Sequence, residues 1–223
     1  MKWWRLSLTG LARLGPPEGA AFVFLMEDKR PGFLRPYSRA VAEYLARRLT
    51  GDAGLQLQKD NYGRPFLSGS RLNVSISHSG RCLIIALATA EVGVDIEYIR
   101  NPATWPDLYR WINCPEDRWP TPTEQEFLAC WTAKESILKM LPGGFDYGVQ
   151  RVSVPTSASG AWHPVWVDER RFFLRLLPCW KSMIASIALT DLEVVLPFLL
   201  TSPCRRCRTP ETISTQKVRC RYI

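Results

Sequence analysis

No run of apolar residues in this chain is long enough to cross a bilayer. The longest near the C-terminal end, residues 194–200, falls well short of the roughly 20 residues a spanning helix needs, and Pro197 interrupts it. The opening Met1-Lys2-Trp3-Trp4-Arg5 lacks the apolar stretch of a secretory signal. The cysteines do not suit a secreted disulfide framework either: there are seven, an odd number, scattered among apparent strands and helices as reduced thiols would be. A cytoplasmic protein is expected, with no membrane partner. A structural zinc site is short of donors too. Cys204-Arg205-Arg206-Cys207 is a single CxxC followed by Cys220 and no histidine, where four ligands are wanted.

The body of the chain also lacks strong charge of one sign. Residues 201–223 hold six basic side chains (Arg205, Arg206, Arg208, Lys217, Arg219, Arg221) against Glu211, so this tail carries +5 of the net +8. A basic tail can touch nucleic acid or a membrane surface, but a solvated, flexible terminus is the simpler expectation, and no nucleic-acid partner is expected. With 223 residues, 46% of them hydrophobic, the chain can bury a proper core in one large domain or two small ones.

In chain order, residues 3–27 read as strands around the turn Gly15-Pro16-Pro17, with residues 21–26 the clearest apolar run. A basic, proline-broken loop follows (Lys29-Arg30-Pro31-Gly32, Arg35-Pro36). A helix then starts near Ser38, with Val41, Tyr44, Leu45 and Leu49 as its apolar stripe and Gly51 as its stop. Arg39 sits in the first turn, the wrong end of a helix dipole for a cation unless an anion docks there; otherwise it is a surface arginine. Asn61-Tyr62-Gly63-Arg64-Pro65 is a turn. Val74-Ser75-Ile76-Ser77-His78-Ser79-Gly80 alternates apolar and polar residues and ends in a polar cluster able to gather around phosphate oxygens. Residues 82–88 read as a buried strand and 93–97 as its hairpin partner, which would bring His78 within one strand's width of Asp95.

In Gly93-Val94-Asp95-Ile96-Glu97, side chains two apart on a strand share a side, so Asp95 and Glu97 stand together with Val94 and Ile96 opposite. Two neighbouring carboxylates repel unless a cation lies between them or one takes a proton. Hard oxygen donors suit magnesium better than zinc. The plainer reading is an edge strand with a solvated acidic face. After a Trp/Pro-rich stretch with a short helix near 107–112, Thr123-x-x-Glu126 is a capping box opening a helix to about Leu141, stopped by Pro142-Gly143-Gly144. Leu128, Trp131, Glu135 and Leu138 share one face, which sets a carboxylate in an apolar stripe. An exposed i,i+4 pair with Lys139 would not repay burying that charge, so Glu135 is placed as part of a site. Strands return at 149–154, 162–167, 172–177 and 183–189. Ile85-Ala86-Leu87 and Ile187-Ala188-Leu189 each close a strand behind a long amphipathic helix, a faint internal duplication.

Together, Tyr62-Gly63-Arg64-Pro65, Ser75-Ile76-Ser77-His78-Ser79-Gly80, Gly93-Val94-Asp95-Ile96-Glu97 and Trp131-Thr132-Ala133-Lys134-Glu135-Ser136-Ile137-Leu138-Lys139 resemble the 4′-phosphopantetheinyl transferases of the larger, surfactin-type class. The resemblance covers roughly residues 20–190. It implies an α+β fold of two similar halves, residues 1–98 and 99–200, packed as an intramolecular pseudo-dimer with the ligand cleft between them. The implied activity is transfer of the phosphopantetheine arm of coenzyme A to a serine of an apo acyl, peptidyl or aryl carrier protein, releasing adenosine 3′,5′-bisphosphate. By motif position Asp95, Glu97 and Glu135 are the implied ligands of Mg2+, with Mn2+ as an alternative. Glu135 or Glu97 is the implied base, and Lys139 the contact to the pyrophosphate. Arg39, Arg64, Ser77 and His78, with Asp95 and Lys139, are the implied coenzyme A ligands. A monomer is expected, because duplication supplies the cleft within one chain. The pattern departs from the family at Ser75 (usually asparagine), at Arg64 (commonly lysine), and in the compressed loop 140–145 after Lys139. That last departure motivates the alternative of a catalytically weak or silent relative that binds coenzyme A or a carrier protein.

Overall fold

The computed structural model describes residues 2–11, 14–99, 105–114, 123–155, 160–178 and 181–201. The basic tail 202–223, with its CxxC and Cys220, lies outside the described residues. The elements in order are β1 (Trp4–Ser7), α1 (Leu8–Leu11), β2 (Ala20–Glu27), α2 (Ser38–Thr50), β3 (Gln56–Lys59), β4 (Pro65–Ser68), β5 (Asn73–Ser79), β6 (Cys82–Ala88), β7 (Val92–Tyr98), α3 (Trp105–Ile112), α4 (Glu124–Leu138), β8 (His163–Val167), β9 (Arg170–Leu176), β10 (Met183–Leu189) and β11 (Val194–Thr201). The fold is mixed α+β. Among the described residues, no helix is long and apolar enough to cross a membrane.

Two sheets carry the structure, one in the order β1-β11-β2-β6-β5 and the other β7-β10-β9-β8, with β3-β4 as a separate hairpin. Strand alternation divides the core into three. Val23 and Leu25 of β2, Ile84 and Ala86 of β6, Val94 and Ile96 of β7, and Ala185 and Ile187 of β10 meet between the sheets. The other face of the first sheet (Phe22, Phe24, Leu83, Ile85, Leu87) packs against α2. The other face of the second (Leu174, Ile184, Ala188) packs against α4. Burying both faces explains why β6 is apolar throughout and β10 is apolar except at Ser186.

Both long helices start and stop where local chemistry requires. Gly51, at φ 74°, caps α2 in the left-handed conformation. The buried stripe of α2 is Ala42, Leu45, Ala46 and Leu49, whereas Tyr44 faces out. Thr123 and Glu126 form the reciprocal capping box of α4. The helix ends at Leu138 rather than Leu141, because Met140 and Leu141 donate to Ile137 and Leu138 and tighten the last turn.

Two expectations are corrected. First, β6 and β7 are not a hairpin: β6 pairs with β5 and β2, while β7 leaves that sheet and pairs antiparallel with β10. Gly93 fixes the transfer, since a Cβ there would fall 1.7 Å from the Ser136 carbonyl oxygen of α4. Second, residues 149–154 are not a strand. Residues 149–151 form a 3-10 turn after Gly148, and Val149, Val152 and Val154 are buried without a ladder. The apolar run at 194–200, too short for a membrane span, is a strand, β11, inserted parallel between β1 and β2. Pro197 lies opposite Val23, one residue before the β1 ladder opens at Phe198.

Candidate active site

The acidic strand and the serine strand meet where the edges of the two sheets come together. Ser75, Ser77 and Ser79 of β5 alternate on the buried face, and each reaches β7. Ser75 Oγ accepts from the Val94 N–H at 3.0 Å, Ser77 Oγ donates to Asp95 Oδ1 at 2.6 Å, and Ser79 Oγ donates to Glu97 Oε2 at 2.7 Å. Ser79 Oγ also accepts from the Tyr98 N–H at 3.2 Å. Val94 and Ile96 are buried opposite, as the alternation predicts, but the acidic face is not a solvated one: Asp95 is only 4% exposed and Glu97 half-buried.

Helix α4 brings the third carboxylate. Glu135 is partly buried, one turn before Lys139, on the helix that packs across β7 and β10. Its carboxyl is pushed up to about 7, first by burial and then by the negative charges of Asp95 and Glu97, with Lys139 opposing. Lys139 does not close an ion pair with Glu135. Its Nζ donates to Asp95 Oδ1 at 2.7 Å and to the Val94 carbonyl at 2.9 Å.

Two clefts flank these acids. The larger, about 720 Å³, is lined by Glu97, His78, Ser79, Arg35 and the apolar Leu108, Phe127 and Trp131. The smaller, about 420 Å³, is lined by Glu135, Lys139, Arg64, Tyr62, Ser75 and Phe145. Arg64 is anchored there: its Nε donates to Asp60 Oδ2 at 2.7 Å and its guanidinium to the Met140 carbonyl at 3.3 Å. His78 lies on the exposed side of β5, because it alternates with the inward serines, and lines the larger cleft. Ser77 turns its hydroxyl to Asp95 rather than to either cleft. Arg39 lines neither cleft; its guanidinium donates to the Leu57 carbonyl at 2.9 Å. Asp60 and Ser79 were not singled out from the sequence, although the serine alternation Ser75, Ser77, Ser79 was visible there.

Among the described residues, no three carboxylate, imidazole or thiolate groups stand as a ready coordination shell. The donor set nevertheless fits a hard divalent cation. Asp95 Oδ2 is buried with no hydrogen-bond partner, and Glu135 is driven toward its protonated form first by burial and then by the negative charge of Asp95. A cation would relieve both, and oxygen-only donors match magnesium.

The α+β frame thus sets acids from a strand and a helix beside a lysine, between two clefts. Residues 91–178, which contain both β7 and α4, match the model of the 4′-phosphopantetheinyl transferase superfamily. A curated 4′-phosphopantetheinyl transferase of Bacillus subtilis is 27% identical over 114 residues, covering 48% of this chain and 50% of that protein. The chain thus spans about half the length of the curated relative it matches. Residues 91–178 are thus similar to the 4′-phosphopantetheinyl transferase superfamily, and they include the acids of β7 and the glutamate and lysine of α4.

Proposed function

We propose that this protein is a surfactin-type 4′-phosphopantetheinyl transferase. It moves the phosphopantetheine arm of coenzyme A onto a serine hydroxyl of an apo acyl or peptidyl carrier protein and releases adenosine 3′,5′-bisphosphate. The observation that carries this reading is the packing of α4, which bears Glu135 and Lys139, across β7, which bears Asp95 and Glu97, with Lys139 Nζ 2.7 Å from Asp95 Oδ1 between two clefts.

In the reaction, the serine oxygen bonds to the phosphorus that bears the pantetheine, and the bond from that phosphorus to the bridging oxygen breaks. The electron pair leaves on adenosine 3′,5′-bisphosphate, and the serine proton goes to a carboxylate. Glu135, partly buried on α4 beside the smaller cleft, is one candidate base. Glu97, at the larger cleft, is the second candidate. Asp95, Glu97 and Glu135 would hold Mg2+, or Mn2+ in its place. Bound there, the ion supplies charge neutralisation for the diphosphate. Lys139 offsets charge on the leaving group, and Arg64, fixed by Asp60, receives phosphate or nucleotide from the smaller cleft. Ser77, His78 and Arg39 complete the coenzyme A set by motif position.

The two sheets with their helices are read as the halves of an intramolecular pseudo-dimer, divided near residue 98. The matching places of Ile85-Ala86-Leu87 in β6 and Ile187-Ala188-Leu189 in β10, each strand flanked on both sides in its sheet, support this. β11 is the exception, because it returns from the second half into the first sheet. The halves supply the cleft within one chain, consistent with a monomer. The buried free thiol of Cys82 agrees with a reducing cytoplasm.

Incubation with coenzyme A, Mg2+ and a panel of apo carrier proteins, read by intact mass, tests the reading. Addition of one phosphopantetheine, lost with Asp95→Ala or Glu135→Ala, is expected. Coenzyme A binding without modification of any carrier and without adenosine bisphosphate release would make the protein a silent binding relative instead.

A further inference from the structure

Glu97 owes its place to another strand. Its Oε2 accepts from Ser79 Oγ at 2.7 Å, and the same hydroxyl accepts from the Tyr98 N–H at 3.2 Å. Because Ser79 is only 8% exposed, water competes poorly for that hydroxyl. With the Tyr98 N–H filling one lone pair, the Ser79 proton is directed at Glu97. Two residues earlier, Ser77 does the same for Asp95, taking Oδ1 and leaving Oδ2 buried and unpartnered. Ser75 continues the row but bonds only the Val94 N–H, with no carboxylate. β5 thus presents three hydroxyls at a two-residue repeat, of which two hold acids and one holds backbone.

We propose that Ser79 is a positioning residue: it fixes the Glu97 carboxylate in the orientation from which a divalent cation is held at the junction of the two clefts. A glutamate at a strand end has three rotatable bonds, so an unpinned Glu97 would sample several rotamers at the mouth of the larger cleft. A hydroxyl bonded at both its donor and acceptor sides restricts it before any cation arrives. Partners of this kind behind a metal-binding carboxylate are worth about 10–100-fold in affinity. The proposal rests on the cation assigned under the proposed function, and its test keeps the two separable.

The measurement is binding of Mn2+ alone to the full chain, read by loss of the free-ion electron paramagnetic resonance signal, for wild type, Ser79→Ala, Ser79→Thr and Ser75→Ala. Ser79→Ala is expected to weaken Mn2+ by about tenfold or more. Ser79→Thr, which keeps the hydroxyl, should restore binding to within about threefold of wild type, and Ser75→Ala should stay in that range. Thermal midpoints measured on the same samples separate lost positioning from lost folding. If the threonine variant does not fold, the contrast between the two alanine variants decides alone. Equal Mn2+ affinity in wild type and Ser79→Ala, or equal weakening in Ser79→Ala and Ser75→Ala, overturns the positioning role and leaves the proposed function standing. No Mn2+ binding by wild type overturns both.

Discussion

Lys139 passes over Glu135, its neighbour one turn back on α4, and places its Nζ 2.7 Å from Asp95 Oδ1 on another strand. An i,i+4 pair on the helix surface would have been worth a few tenths of a kcal/mol. The cross-element bond is worth more, because Asp95 is nearly fully buried and its other oxygen has no partner. Lys139 is therefore the counter-charge of the acidic strand in the absence of a divalent ion.

Removing it should leave a buried carboxylate uncompensated. Lys139→Ala is expected to lower stability by about 2–4 kcal/mol in urea denaturation without divalent ions. Addition of Mg2+ should recover part of that loss. A loss below about 0.5 kcal/mol, the range of an ordinary surface pair, contradicts the role given to Lys139.

Glu135 gives stability a pH dependence of definite sign. Its carboxyl is held at about 7 in the fold, against 4.5 when exposed. Between those values the native state keeps a proton that the unfolded chain has lost, so stability falls as pH rises. The contribution is full below the unfolded value and gone above the folded one. Denaturation at about pH 5 and about pH 8 should differ by roughly 2–3 kcal/mol from this group, with the protein weaker at the higher pH. Glu135→Gln should remove that component.

Gly93 has its place because α4 lies against β7 there. Gly93→Ala would put a methyl carbon 1.7 Å from the Ser136 carbonyl oxygen, a backbone atom that cannot swing away. The helix or the strand must shift, at an expected cost of about 3 kcal/mol or more in urea denaturation, and the acids shift with them. A neutral substitution would mean that α4 does not approach β7 so closely.

The placement of side chains along β7 and α4 was more legible than the topology. The alternation in β7, the capping box of α4 and the burial of Glu135 in an apolar stripe follow from local periodicity, and the structure repeats them. The pairing of β7 was misread because a short turn after β6 suggests a hairpin. What overrides it is contact distant in sequence: Gly93 against Ser136, and the serines of β5 against β7. Arg39 sits where a helix dipole would welcome an anion, yet its guanidinium is taken up by the Leu57 carbonyl. β11 was opaque because an apolar run broken by Pro197 looks like an aborted span, and its place depends on partners more than 170 residues earlier in the chain.

That placement is itself testable. Ending the chain before Val194 removes the strand between β1 and β2 and exposes both their edges, so the product should aggregate or fail to fold. Ending it after Thr201 keeps the sheet, and the truncated chain should retain the thermal midpoint of the full chain within a few degrees. Soluble, cooperatively folded protein ending at residue 193 would contradict the strand order.

The most direct measurement is the titration of Glu135 itself, by carboxyl 13C NMR with Glu135→Gln as the assignment control, with and without Mg2+. If three acids share one cation, Glu135 titrates near 7 without the ion and moves down by about one unit or more when Mg2+ is added. An ordinary titration near 4.5, unmoved by Mg2+, would show that Glu135 neither faces Asp95 and Glu97 nor helps to hold the metal.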